Sequence, residues 1–539
     1  MLCKRDGMWY DDLGGEFMGL YFNPNNVKFV RDIRSKIYVD KTRLLSELNQ
    51  ILSTNDNCIS VSHARRFGKT QAANMIEAYY SCGCDSKELF SQYEISSVPG
   101  VEDYLNKYNV IHLDVSSFTD YAGGDVVDAI IDALVEEFSE EYQNINYALP
   151  LHRILYKIYQ VTKKQFVIII DEWDCVIRNY SDRQDLVHKY MQFLHSLFKS
   201  MESAEFLALG YVTGILPIKK VNDESALNNF REYTMLDSKN LTQYYGFTED
   251  EVKELCEKYD MSFDAVKNWY NGYLINGQHM YNPNSVSQSM SNHDLCSYWK
   301  NTSSFGTINN YITLNFDGLK ESIIQILSGE HVPVKTGTFS NDLSQIKSRD
   351  DSLTALVHLG YLAYDEQSGT TYLPNYEVRE AYNAALSSGQ WKEIADSVRQ
   401  CEELLRLTID GDEANVAGII ELAHEAYTSV LTYNNENSLS CVISMAYFTA
   451  PAYYTLIREL PSGKGFADIA FVPKPYTDKP ALLVELKYDK SVSAAIDQIK
   501  EKRYTSALAG YKDVILVGIN YDKDGGDKKH SCVIEKWSV

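Results

Sequence analysis

Between Cys58 and Tyr80 a short apolar run, CISV, leads into the loop SHARRFGKT and then into QAANMIEAYY, whose apolar residues recur at helical spacing. A strand, a loop closed by Gly68-Lys69-Thr70 and a helix form the phosphate-binding unit of P-loop proteins. There, backbone N–H groups at the helix N-terminus cradle the phosphates, the lysine reaches the β- and γ-phosphates, and the hydroxyl meets Mg²⁺. Lys69 and Thr70 suit those two roles, and Arg65, Arg66, Phe67 and Gly68 complete the nucleotide-binding stretch. The full pattern asks for a glycine at position 63, where this chain has His63. Losing that glycine removes a cheap source of positive φ, so the loop is expected to differ in shape, or to hold nucleotide without hydrolysing it.

A second segment fits the first. Phe166 to Asp174, FVIIIDEWD, sets branched residues in a row and ends in acids, the pattern of a buried parallel strand with carboxylates at its C-terminal edge. Asp171 is expected to hold Mg²⁺ and Glu172 to orient and deprotonate the attacking water. Further strands are expected at Asn109 to Ser117 and Phe206 to Gly214, with helices at Asp125 to Tyr142 and His152 to Val161. Such alternation predicts an α/β fold with a parallel sheet covered on both faces.

Composition narrows the function. With 539 residues, 45% hydrophobic and 23% charged, the chain has the make-up of a multi-domain globular protein. A formal net charge of −23 argues against a protein that coats nucleic acid through many phosphate contacts, so any such contact is local. The ten cysteines lack zinc-like spacing and read as buried thiols of a reducing cytoplasm. Neither a signal peptide nor a membrane-spanning run is expected.

A second chemical centre lies near the C-terminus. GKGFADIAFVP and ALLVELKYDK read as two strands of a hairpin joined through PKPYTDKP. Glu485 and Lys487, two residues apart, share a strand face, and Asp468 on the partner strand can stand across from Glu485. Asp468 and Glu485 would then hold Mg²⁺, while the Lys487 ammonium polarises a water and stabilises developing negative charge. Glu459 is expected at the end of a preceding helix. Gln498 and Lys502, four apart on a following helix, share a face that could meet a substrate backbone, with Arg503 and Tyr504 next in line.

YVDKT, ARRFGKT, IIIDEWD, YVTGILPIKK, GFTEDEV, WYNGY and YNP follow one another in this order. Together they resemble the predicted AAA-ATPase-like proteins of bacteria that carry a C-terminal PD-(D/E)XK nuclease-like domain. The resemblance implies a P-loop NTPase parallel sheet with a helical lid and wing-like middle region, followed by a nuclease-like α/β domain. It divides the chain into a leader (1–20), the ATPase-like domain (21–240), a lid (241–300), a winged-helix-like region (301–380), a helical connector (381–433) and the nuclease-like domain (434–539). It makes Asp468, Glu485 and Lys487 the catalytic set, puts Gln498 at the family's usual glutamine, and offers Gln498, Lys502 and Tyr504 for substrate binding. Thr213 falls where related NTPases sense the γ-phosphate, and Tyr38 and Asp40 near the base, although core packing explains those two as well. Lys219, Lys220 and Arg231 are further cations that could face phosphate. The expected cofactors are ATP and Mg²⁺, and the expected partner is DNA, with no membrane and with self-assembly into a homo-oligomer. The expected function is an ATP-binding and ATP-hydrolysing protein with a metal-dependent nuclease domain; the alternative is a nucleotide-switched regulatory or DNA-binding protein that does not cut.

Overall fold

The computed structural model describes residues 3–5, 8–10 and 19–538, apart from 120–124, 182, 219–226, 300–317, 328, 340–345, 347, 388–391, 428–438, 440–442, 444–445, 448–449, 451–452, 463–464, 475–476, 509, 512 and 524–528. Contacts group the chain into two compact units, Met1–Tyr298 with Pro333–Asn375, and Trp299–Val332 with Tyr376–Val539. In the leader, Cys3–Arg5 and Met8–Tyr10 pair as short antiparallel strands.

The first unit is built on five parallel strands: β1 (Cys58–Ser62), β2 (Asn109–Asp114), β3 (Phe166–Asp171), β4 (Leu207–Gly214) and β5 (Arg231–Thr234). Their order is β2-β3-β4-β1-β5, so β4 lies between the strand that leads into the Lys69 loop and the strand that ends in Asp171. The branched run of β3 is buried along its whole length because helices cover both faces. Ile168 and Ile170 pack with Ile130 and Phe138 of α2 (Val126–Glu141), Ile154 and Ile158 of α3 (Leu151–Thr162) and Leu194 of α4 (Gln184–Lys199). Val167 and Ile169, pointing the other way, pack with Ala73, Ile76 and Tyr80 of α1 (Lys69–Tyr80). Parallel strands end at one edge, and Asp114 and Asp171 stand there in register.

A smaller subdomain follows. Thr248 opens the helix Glu249–Lys258 with both bonds of a capping box, as T-x-x-E predicts. The helix Phe263–Tyr270 stops at Asn271, and Gly272 turns with φ 122° beneath Pro374, whose carbonyl oxygen would lie 1.7 Å from any Cβ there. The helix Arg349–His358 is followed by a hairpin of the strands Ala363–Asp365 and Thr370–Tyr372.

The second unit contains a sheet ordered β6 (Tyr454–Ser462), β7 (Gly465–Pro473), β8 (Ala481–Tyr488), β9 (Asp513–Tyr521) and β10 (His530–Ser538). Only β8 and β9 pair in parallel, and the chain crosses between them through α7 (Val492–Lys502). On one face Val484, Leu486 and Val517 pack with Leu404 and Ile420 of α5 (Lys392–Asp410) and α6 (Glu413–Tyr427). On the other, Leu483 and Leu516 pack with Ile496 and Ile499 of α7. Asp410-Gly411-Asp412 separates α5 from α6, with Gly411 at φ 87°. Among the described residues no helix is long and apolar enough to cross a membrane, and the cysteines are free thiols.

Candidate nucleotide and metal sites

Beyond β1 the chain turns through Arg66 (φ 68°) and Gly68 (φ 84°) before entering α1. The left-handed positions are thus 66 and 68, and 63 is not one of them, which answers the missing glycine. His63 is fully buried, with its Nε2 2.8 Å from Ser238 Oγ, and burial pushes its imidazole down to about 3, so it stays neutral. No side chain caps α1, so its first backbone N–H groups form the electropositive end that favours phosphate.

Lys69 is buried, and its Nζ donates to the carbonyls of His63 (2.9 Å) and Ala64 (3.0 Å). Thr70 Oγ1 donates to Asp171 Oδ2 at 2.7 Å, which joins the loop to the acid strand across the intervening β4. Burial raises Asp171, and the Thr70 bond and the nearby Lys69 oppose that rise. Glu172 takes a left-handed φ of 52° and receives a 2.7 Å bond from Arg178 Nη2, while Arg178 Nε donates to Asp174 Oδ2 at 2.8 Å. Burial, then the Asp174 charge, raises the Glu172 carboxyl. Thr213, at the end of β4 between β1 and β3, keeps a buried Oγ1 with no hydrogen-bond partner among the described residues.

The other candidates settle differently. Arg65 and Arg66 are exposed at the loop. The Phe67 side chain turns away from the phosphate cradle: it is fully buried, edge-on to Tyr273 at 5.3 Å, and its carbonyl accepts from Gly246 N at 3.0 Å. Asn282 caps the helix Pro283–Asn292 and donates from Nδ2 to the Arg65 carbonyl at 3.3 Å. Gly246, Tyr273 and Asn282 come from the GFTEDEV, WYNGY and YNP motifs, so one physical role, gripping the loop, unites three separate motifs. Tyr38 packs its ring on Phe29 and Tyr93, and Asp40 accepts from Thr42 N and Glu94 N, which are structural duties. Arg231 pairs with Asp56 at 2.8 Å on the surface. Lys219 and Lys220 lie outside the described residues. Arg178 was not anticipated, although its i+4 spacing from Asp174 on a short helix was a readable signal.

In the second unit the register Ile469↔Val484, extended by one residue, sets Asp468 opposite Glu485. Asp468 Oδ2 accepts from Leu486 N at 2.7 Å. Glu459 corrects the expected helix end: it sits within β6 at φ 51°, where the ladder to β7 skips from Arg458↔Ile469 to Leu460↔Ala467. The flanking pairs keep one register, so Asp468 is the residue across from Glu459.

Glu485 and Lys487 are both buried on the α7 side of β8, as period two predicts. Lys487 Nζ donates to Glu485 Oε1 at 2.8 Å, and Gln498 Nε2 donates to the same oxygen. Glu485 Oε2 is buried with no hydrogen-bond partner among the described residues. An orphaned carboxylate oxygen opposite a second carboxylate is a donor set suited to a hard divalent cation. Desolvation, then the Asp468 charge, raises the Glu485 carboxyl to about 7. One substrate candidate turns inward. Tyr504 is buried with its hydroxyl 3.4 Å from Gln498 Nε2, so it positions that amide, and the expected helix through Tyr504 ends at Lys502, which is exposed on the last turn.

Comparison with known proteins finds two family models. A family model described as a predicted AAA-ATPase matches residues 27–222, and one described as the PD-(D/E)XK nuclease superfamily matches residues 434–531. An uncharacterized protein in the vnfD 5' region of Azotobacter chroococcum mcd 1 is 22% identical over 385 residues, covering 67% of this chain and 70% of that protein. Among solved structures, the Aeropyrum pernix ORC2 protein (ADPNP-ADP complexes) is 11% identical, covering 66% of this chain and 98% of that chain with a TM-score of 0.28. A DNA replication initiation factor is 11% identical, covering 77% and 96% with a TM-score of 0.24.

Proposed function

We propose that this chain, which joins an AAA-ATPase-like region to a PD-(D/E)XK nuclease superfamily domain, binds and hydrolyses ATP and cuts phosphodiester bonds in DNA with the help of a divalent metal ion. The observation that carries the nuclease reading is the buried Glu485 Oε2 opposite Asp468, without a hydrogen-bond partner among the described residues, with Lys487 Nζ 2.8 Å from the same carboxyl group.

Asp468 and Glu485 would hold Mg²⁺ in the nuclease-like domain, and Thr70 and Asp171 would hold it beside the nucleotide. When bound, Mg²⁺ supplies Lewis-acid stabilisation of phosphoryl charge and a more acidic water. Lys487 orients the attacking water and offsets the charge that builds on the phosphate oxygens. Gln498 fixes the Glu485 carboxylate, and Tyr504 fixes Gln498.

In the ATPase-like region the first turn of α1 receives the phosphates, and Lys69 exchanges two carbonyl partners for phosphate oxygens. Glu172, raised by burial and held by Arg178, takes the proton of the attacking water, and Thr213 Oγ1 meets the γ-phosphate. Arg65 and Arg66 supply exposed positive charge at the loop.

A second reading, a nucleotide-switched protein that binds DNA without cutting, is favoured by the net charge of −23. One experiment separates the two. Plasmid and single-stranded DNA are incubated with purified protein and Mg²⁺ or Mn²⁺, with and without ATP, beside Glu485→Ala and Lys69→Ala. Cutting that disappears in Glu485→Ala supports the nuclease, and its response to Lys69→Ala reports control by nucleotide. No cutting in any condition, with ATP still bound, favours the switch.

A further inference from the structure

Away from the Asp468 and Glu485 carboxylates, α6 and the edge strand β10 bring together a different set of donors. Glu421 and His424 stand three residues apart on α6 and so share a face, and His530 opens β10. One donor atom from each of the three lies within 4.8 Å of the others. The two histidines are 106 residues apart in sequence, so only the packing of α6 on the sheet joins them.

Three observations give the cluster the chemistry of a metal site. First, Glu421 Oε2 accepts from His530 Nδ1 at 2.9 Å and from the backbone N–H groups of Lys529 and His530, both at 2.9 Å. A carboxylate can only accept, so Nδ1 carries the proton and the lone pair of His530 sits on Nε2. This carboxylate–imidazole pairing orients metal-bound histidines and leaves Nε2 as the ligating nitrogen. Second, His530 Nε2 faces His424 Nδ1 at 3.4 Å. Two imidazole nitrogens each about 2.0–2.1 Å from one tetrahedral Zn²⁺ lie about 3.4 Å apart. Third, both rings are more than nine-tenths buried, with Tyr521 packed against them at 5.0 and 5.1 Å.

We infer that His424 Nδ1 and His530 Nε2, the latter ring oriented by Glu421, hold a divalent transition-metal ion of the zinc type, which ties α6 to the edge strand β10. Two imidazole nitrogens favour Zn²⁺ or Co²⁺ over Mg²⁺, so this site and the nuclease carboxylates differ in metal preference. The inference does not depend on the nuclease reading.

The test uses untagged full-length protein, stripped with chelator and dialysed against Zn²⁺ or Co²⁺ with excess Mg²⁺ to occupy the carboxylates. Glu485→Gln is run in parallel. One equivalent of metal is expected in both proteins, with Co²⁺ giving the visible bands of a four-coordinate ion and no thiolate charge-transfer band. His424→Gln and His530→Gln should lose that equivalent, and Glu421→Gln should bind on the order of 10–100-fold more weakly. If the histidine variants do not fold, Zn²⁺ titration of ¹⁵N-histidine-labelled wild type still decides, because two imidazoles should shift together. Binding that persists in both histidine variants, binding that disappears in Glu485→Gln, a thiolate band, or unshifted histidines would each overturn the inference.

Discussion

Replacing Glu485 with glutamine should stabilise the metal-free protein at alkaline pH while abolishing metal-dependent cleavage. Glu485 is almost fully buried, and desolvation together with Asp468 raises its carboxyl from the ordinary 4.5 to about 7. The folded state therefore holds a proton that the unfolded chain has already released between those two values. Because native protein binds more protons there, stability falls as pH rises through that window, and it levels off above about 7. At about 1.4 kcal/mol per tenfold change in proton affinity, the penalty between pH 5 and 8 is roughly 2–3 kcal/mol. Glutamine keeps an oxygen for Lys487 and Gln498 and carries no charge, so it escapes the penalty. Hydrogen exchange of peptides covering β8 and α7, with EDTA present, measures this locally and does not require the whole chain to unfold in one step. Relative to Glu485→Gln, wild-type protection should drop by on the order of 50–100-fold from pH 5 to 8, and Mg²⁺ should restore it in wild type alone. Parallel pH profiles for the two proteins would refute the argument.

Other perturbations probe the first unit. Lys69→Ala should weaken ATP binding by on the order of 30–150-fold in an equilibrium titration, the loss of a charge-assisted phosphate contact. Glu172→Gln should leave ATP affinity intact and lower turnover by about 10²–10⁴-fold, as a steady-state phosphate-release assay would detect. Arg178→Ala leaves the fully buried Asp174 carboxylate without its guanidinium partner, so a loss of about 3–5 kcal/mol is expected in denaturant unfolding of that unit. Gly272→Ala drives a methyl group into the Pro374 carbonyl at a φ of 122°, and a lowered melting temperature is expected.

Much of this molecule can be read from local pattern. The run FVIIID predicts a strand buried on both faces because it leaves no polar side for water, and the structure buries every residue of β3. Glu485 and Lys487 share a face because strand side chains alternate, a property that needs no knowledge of neighbours. The T-x-x-E cap at Thr248 and the glycine break after Asp410 are equally local. Prediction fails where the partner is remote. Glu459 resembles the end of a helix in sequence, yet pairing with β7 draws it into a strand. Tyr504 follows a cationic helix as an exposed contact would, yet packing turns it inward onto Gln498.

Side-chain alternation, apolar runs such as FVIIID and the residue types available for chemistry therefore belong to the sequence alone, since each is a property of a few consecutive residues. Tertiary structure decided that β4 runs between the Lys69 loop and Asp171, that Gly246 and Tyr273 grip the loop at Phe67 and Asn282 grips it at Arg65, and that His424 meets His530. Those outcomes rest on which apolar faces bury one another and which loops close, and no local period encodes either.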